Sequence, residues 1–328
     1  MHDRTANEVT RRDFCRSSAI ALGAAAFGAA GRPIAAEEAD ATKQPAGQYI
    51  DIHTHLGQTW NTKPELIASD LLKWMDQHQI AQAVVLPLVS PESSSYLLTS
   101  DFVLRETEPH RDRLIPFCCI DPRTSHGQGK QGLHDMLRRY VDQGAKGFGE
   151  HKPGVRIDDP RSMTLYEICG ELTLPVLFHL DAERNIDAPG LPGLERVLGE
   201  FPNTTFIGHG PGWWASISGD VTEPADLGGY PRPEDPVQLG GAVDRLMQKH
   251  PNLYGDLSAG SGARAIGRDR EFGRKFLIRH ADRLMFGTDY LSPGQRVPQF
   301  SLLAQLDLPA DVQSKIYRDN ARQLLGLA

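Results

Sequence analysis

Two histidines, His53 and His55, stand one residue apart in YIDIHTHLG (49–57), a stretch that otherwise has the character of a buried β-strand. Side chains two apart on a strand share a face, so both imidazoles are aimed at one point just ahead of a glycine. Four more residues of metal-binding or acid–base type close apolar runs elsewhere. They are Glu150 in AKGFGEHK (145–152), His179 in LPVLFHLD (174–181), His209 in TTFIGHG (204–210) and Asp289 in RLMFGTDYL (283–291). Taken singly, a histidine at a strand end is more often a hydrogen-bonded structural residue than a ligand. Asp289 alone could cap a helix, and Glu150 alone could pair with Lys152 on its own strand. Six such residues at equivalent positions point instead to one nitrogen-and-oxygen site. Zinc suits it first, with Fe(II), Mn(II) or Co(II) acceptable.

What brings them together is the order of elements. Apolar runs at 49–55, 81–89, 114–122, 145–152, 174–181, 204–210, 252–260 and 283–291 read as eight strands. Amphipathic helical patterns lie between them at 64–79, 127–143, 162–172, 191–201, 237–250 and 264–281, with a pair of helices after Pro298. Strict alternation argues a parallel sheet, and near-continuous apolar strands argue burial on both faces. Eight strand–helix units in about 250 residues predict a single-domain α/β (β/α)8 TIM barrel, with a doubly wound open sheet as the alternative. The C-terminal ends of barrel strands open on one face, where residues distant in sequence converge. A long irregular stretch at 213–236 leaves the sixth strand toward that face.

Composition bounds the rest. The 328 residues are 40% apolar and 23% charged, with a net charge of −7. That fits a soluble globular chain and gives no basic face for nucleic acid. At the N-terminus, TRRDFC (10–15) and the Ala/Gly-rich 17–31 have the form of a signal peptide, and Arg11-Arg12 with Phe14 resembles the twin-arginine export motif. The apolar stretch is short for a membrane span. The expected division is a signal peptide over 1–36, a polar linker over 37–47 and the barrel over 48–328. The resemblance implies the twin-arginine export machinery as a partner, a periplasmic or secreted location, and no stable membrane span after cleavage. Beyond the leader only Cys118, Cys119 and Cys169 remain, which is no disulfide framework.

DIHTH, GFGEHK, LFHLD, FIGHG and MFGTDY, closing with DNARQLLGL (319–327), resemble the amidohydrolase superfamily over essentially 48–328. The branch is that of aminocarboxymuconate-semialdehyde decarboxylase and related metal-dependent hydrolases. The resemblance implies that His53, His55 and Asp289 hold a deeper metal position and that His179 is a ligand. It makes His209 a second-metal ligand in two-metal members, and a catalytic or orienting group in one-metal members. Many two-metal relatives bridge their ions with a carboxylated lysine. Glu150 can do that unmodified, while Lys146 and Lys152 are the lysines close enough in sequence to be considered. One or two ions are therefore expected.

A divalent ion lowers the pKa of water from 15.7 to about 7 and polarises the bond under attack. Asp289 is the expected proton carrier, with His209 as stabiliser of the developing oxyanion. Lys152 and Arg184 could hold an anionic group of a small-molecule substrate, and Trp60, Trp213 and Trp214 could wall the mouth. The leading expectation is a hydrolase of an amide, ester or lactone. The rival is a non-oxidative decarboxylase of a small unsaturated or aromatic acid. A metal-holding binding protein without catalysis is a third reading, against which Asp289 argues. A homo-oligomer is compatible with all three.

Overall fold

The computed structural model describes residues 47–124, 127–230 and 236–327. The signal peptide expected over 1–36 and all but the last residue of the expected linker lie outside the described residues. Eight parallel strands follow in chain order: β1 (Tyr49–Thr54), β2 (Ile80–Val85), β3 (Leu114–Pro116), β4 (Phe148–His151), β5 (Val176–His179), β6 (Phe206–His209), β7 (Leu253–Asp256) and β8 (Leu284–Met285). β1 to β3 pair in sequence order, and so do β4 to β8. Parallel bridges join the two arcs at both seams, Cys118 to Phe148 on one side and Thr54 to Tyr290 on the other. The Asp289 N–H also donates to the His53 carbonyl at 2.8 Å. The sheet closes as the (β/α)8 barrel the alternation predicts.

All eight strands are shorter than the apolar runs that announce them, because the last residues of several runs leave the ladder and turn over the mouth. Interior side chains Ile50, Ile52, Leu86, Phe117, Leu177, Ile207 and Met285 fill the barrel. An outer apolar layer joins the sheet to helices that include α1 (Ala68–Gln77), α2 (Ser100–Thr107), α3 (Gly129–Asp142), α4 (Pro160–Glu171), α5 (Pro192–Glu200), α6 (Pro211–Ala215) and α7 (Ala242–Lys249). The helical pattern at 264–281 is two helices rather than one: α8 (Ala259–Gly267) and α9 (Arg270–Arg279). The break has a local cause, since the Asp269 carboxylate accepts from the Phe272 N–H and starts a new helix. The chain closes with α10 (Gln299–Gln305), α11 (Ala310–Ser314) and α12 (Asn320–Leu325). No described helix is long and apolar enough to cross a membrane. Cys118, Cys119 and Cys169 are free thiols buried in the core, as their apolar surroundings in the sequence imply.

One glycine sets up the site. Gly149, immediately before Glu150, has φ 141°, and a Cβ there would stand 2.3 Å from the Leu177 carbonyl oxygen of β5. Only glycine lets β4 approach β5 this closely. Gly149→Ala is expected to lose roughly 1–3 kcal/mol of stability, or more if the strands part. Urea unfolding checks it, and an unchanged midpoint would show that the strand gap can widen freely.

Candidate metal centre

β1 delivers both histidines to the mouth. Its pairing with β2 is irregular between Asp51 and Thr54, the stretch in which the interior Ile52 gives way to His53. The two Nε2 atoms face each other at 3.1 Å. Each ring's other nitrogen is already committed. His55 Nδ1–H donates to the Leu86 carbonyl at 2.9 Å, and His53 Nδ1–H donates to Asp256 at 2.7 Å. With Nδ1 carrying the hydrogen, each neutral ring presents a lone pair at Nε2. Two facing lone pairs at this distance ask for a cation between them. Two ligand nitrogens about 2.0–2.1 Å from one tetrahedral ion stand about 3.3 Å apart, so the pair fits a metal without rearrangement.

Two carboxylates complete the corner. Asp289 Oδ1 lies 3.5 Å from both Nε2 atoms, and Glu150 Oε2 lies 3.5 Å from that of His55 and 3.9 Å from that of His53. The other oxygen of Glu150 turns to a second group: 2.7 Å from His179 Nδ1, 3.4 Å from Lys152 Nζ and 3.8 Å from His209 Nε2. His53, His55 and Asp289 form one set of converging donors, and Glu150, His179 and His209 form another. All six residues expected at the mouth are therefore there, and Glu150, a member of the second set, turns its Oε2 toward the first.

Burial works against the Glu150 carboxylate, but the Lys152 ammonium and the His179 hydrogen bond outweigh it and hold the group well below the usual range. Asp289 is likewise lowered, with burial opposed by the rings of His53, His55 and His209. Its side chain is 22% exposed, against 0–8% for the four histidines and Glu150 around it, so it faces the open side.

Three acids that sequence reasoning left out hold the site in shape. Asp256 ends β7 and is fully buried. Its Oδ2 accepts from His53 Nδ1 at 2.7 Å and from His209 Nδ1 at 3.0 Å, and the Ser258 hydroxyl donates to it at 2.8 Å. His209 Nδ1 is also 2.9 Å from the Ser258 oxygen, which accepts because its own hydrogen is spent on Asp256. His209 Nε2 therefore offers a lone pair to the centre. The oxyanion-stabilising role expected of His209 needs a donor there, and Lys152 is better placed to supply one. Burial opposes the Asp256 carboxylate, but the His53 and His209 rings keep it below its ordinary range. Its signal was available, since it closes the seventh run as the chosen residues close theirs.

Asp181, two residues after His179 and on the same face, accepts from His179 Nε2 at 2.9 Å. Asp51 accepts from the Thr288 N–H and hydroxyl at 3.0 and 2.6 Å, pinning the turn that carries Asp289. Burial pushes Asp51 up to about 7 despite those bonds.

Several expectations need correction. Trp213 and Trp214 are completely buried and do not wall the mouth. Helix α6 starts at Pro211, directly after β6, and turns both indoles down onto the sheet. Trp214 donates to the Asp256 carbonyl at 3.0 Å, and Trp213 meets Phe178 edge-on. Trp60, in the loop after β1, is half-buried. Arg184 is not a loose cation: it bonds Asp181 at 2.8 Å and the Glu92 carbonyl at 2.8 Å, so it braces His179 from behind. Lys146 is exposed and precedes β4, away from the C-terminal end that carries Glu150, which removes it as a bridging carbamate. His151 points away from the centre and packs against Phe148 and Tyr166, and burial pushes it down to about 3.

Behind Arg184 lies a clamp. Glu92, after β2, takes both arms of Arg123 at 2.7 and 2.8 Å; Arg123 also holds Asp121 at 2.7 Å, and Glu92 accepts from Gly154 N–H at 3.2 Å. The Arg123 hydrogen bonds lower Glu92 to about 2. A depressed carboxyl contributes stability that is complete above its unfolded value, about 4.3, and is lost as pH falls through the folded one. The melting temperature of the wild type should therefore drop more steeply between about pH 4.5 and 2 than that of Glu92→Gln. Parallel melting curves across that window would remove the clamp as a source of acid sensitivity.

The amidohydrolase family model matches residues 50–327. No curated protein matches the chain. An uncharacterized TIM-barrel protein from Bordetella bronchiseptica superposes with a TM-score of 0.60 at 16% identity, over 85% of this chain and 98% of that one. A putative 2-pyrone-4,6-dicarboxylic acid hydrolase from Pseudomonas putida gives 0.59 at 17%, over 85% and 97%. A dihydroxybenzoic acid decarboxylase from Polaromonas sp. JS666, with bound manganese and the inhibitor 2-nitroresorcinol, gives 0.53 at 14%, over 85% and 97%. At these identities the likeness is one of fold.

Proposed function

The chain belongs to the amidohydrolase family, and from that membership we propose that it is a metal-dependent hydrolase cleaving a lactone, ester or amide of a small molecule. The observation that carries the reading is the Glu150 carboxylate, with one oxygen turned to the His53–His55–Asp289 corner and the other to His179 and His209. A carboxylate so placed suits a bridge between two divalent ions, the arrangement that favours hydrolysis. His53, His55, Asp289 and Glu150 would hold one ion, and Glu150, His179 and His209 the second. Zinc suits this donor set, and manganese, the ion in the Polaromonas decarboxylase, is compatible with it. Bound there, a divalent ion supplies an acidified water and a polarised substrate bond.

The side chains divide the remaining work. Asp289 faces the open side and accepts the proton of the attacking water, then returns it to the leaving group. His53, His55 and His209 keep their Nε2 lone pairs aimed inward because Asp256, Ser258 and the Leu86 carbonyl hold their Nδ1 hydrogens. Lys152, 12% exposed beside Glu150, would donate to a carboxylate of the substrate or to the developing oxyanion.

One observation favours decarboxylation instead. Both ring nitrogens of His179 already face carboxylate oxygens, Glu150 at 2.7 Å and Asp181 at 2.9 Å. A ring held that way leaves the second donor set short of a ligand, and a single ion is the simpler demand of a carboxy-lyase. A screen of metal-replete protein against lactones, esters, amides and small aromatic or unsaturated acids separates the two, reading acid release and CO2 together. Hydrolysis without CO2 is the expected outcome. CO2 release without hydrolysis would replace this reading with the decarboxylase.

A further inference from the structure

Lined by residues outside the donor sets of the metal centre, a cleft of about 570 Å³ runs between α8 and α10. Arg264, Arg268 and Arg296 line it, and among the described residues no carboxylate does. Most arginines bordering the mouth and flanks have acid partners: Arg123 has Glu92 and Asp121, Arg184 has Asp181, Arg245 has Glu195 and Arg279 has Asp244. The guanidinium groups of Arg264 and Arg296 have no ion pair or hydrogen bond among the described residues. Three arginines gathered on one cleft repel one another, and in a chain of net charge −7 nothing general requires them there.

The cleft is built rather than incidental. Arg264 lies against the ring of Tyr230, its Cζ 5.1 Å from the ring centre, a cation–π contact that limits where the guanidinium can go. The walls are fixed by Gln299, at the start of α10. Its side-chain amide donates to the carbonyls of Leu257 at 3.1 Å and Ala259 at 2.6 Å, where α8 begins. Small residues of α8, Gly260 and Ala263, leave the space open, and Ser301 of α10 adds a hydroxyl.

We infer that this cleft binds the anionic group of a small molecule, a carboxylate or a phosphate, between Arg264 and Arg296. The planar guanidinium fork matches either oxyanion with paired N–H donors, and the apolar side of Leu302 and Pro298 suits the organic remainder of such a ligand. None of the residues lining the cleft belongs to the donor sets of the metal centre, so the inference does not depend on which bond the enzyme cleaves.

The test is calorimetric titration of the full chain with inorganic phosphate, with succinate, and with uncharged succinamide, at constant ionic strength. Saturable binding of phosphate or succinate but not succinamide is expected, weakened about tenfold or more in Arg264→Gln and again in Arg296→Gln. Arg264→Lys, which keeps the charge but loses the fork, should fall between. Preference for phosphate or for succinate assigns the ligand class. Lys152→Met, at the metal centre, should leave the affinity unchanged. The inference is overturned if neither anion binds, if the double Arg264→Gln/Arg296→Gln variant binds as the wild type does, or if Lys152→Met is the change that abolishes binding.

Discussion

Asp289→Asn is expected to retain bound divalent metal and the wild-type fold while losing about 10²–10⁴-fold in turnover on whatever substrate the screen identifies. Asparagine keeps an oxygen near the Nε2 atoms of His53 and His55, where Asp289 Oδ1 stands at 3.5 Å from each. It keeps the backbone bond to the His53 carbonyl and the Thr288–Asp51 anchor that sets the turn. What it cannot do is take up a proton. Metal content by emission spectroscopy, circular dichroism and the rate together isolate that deficit. Full turnover by the metal-loaded variant would transfer the proton-carrying role to another group, with His209 Nε2 the first to examine.

Glu150→Ala should have the other large effect. The carboxylate pairs with Lys152 in a site where the two side chains are 1% and 12% exposed, so removing it strands a buried ammonium. Breaking such a pair costs about 3–5 kcal/mol. Metal stoichiometry should fall by at least one ion per chain, and hydrolysis should disappear. The double variant Glu150→Ala/Lys152→Met should recover part of the stability and none of the activity, separating the charge imbalance from the loss of the bridge. One tightly held ion in the wild type, with activity intact in Glu150→Ala, would sink the two-ion arrangement.

Much of this was legible in the sequence, for an identifiable reason. The barrel follows from alternation, and strands buried on both faces write themselves as continuous apolar runs. His53, His55, Glu150, His179, His209 and Asp289 interrupt those runs at one end, where a polar side chain has to be explained. Asp256 and Asp181 are polar for the same reason. They do not stand out because a short acid near a glycine or a loop also reads as a turn residue, and nothing local says that it faces a ring on another strand. Trp213 and Trp214 show the opposite failure. Their position after β6 suggested the mouth, but the direction of the helix that carries them is a tertiary fact. Arg184 illustrates the same limit, because its partners Asp181 and Glu92 lie 3 and 92 residues away.

The clamp around Glu92 bears on how such a barrel can be remodelled. Glu92 follows β2, Asp121 and Arg123 follow β3, Gly154 follows β4, and Arg184 follows β5. Loops at a barrel mouth are usually treated as independent parts, each open to exchange with that of a relative. Here four successive ones meet at a single residue, two through the Glu92 carboxylate and one through its main-chain carbonyl. A chimera that imports one of them alone brings in a segment whose charges have no counterpart, and leaves Glu92 or Arg123 facing an empty socket. The transferable unit on this half of the mouth is the quartet, which makes it a poor place for piecemeal swaps.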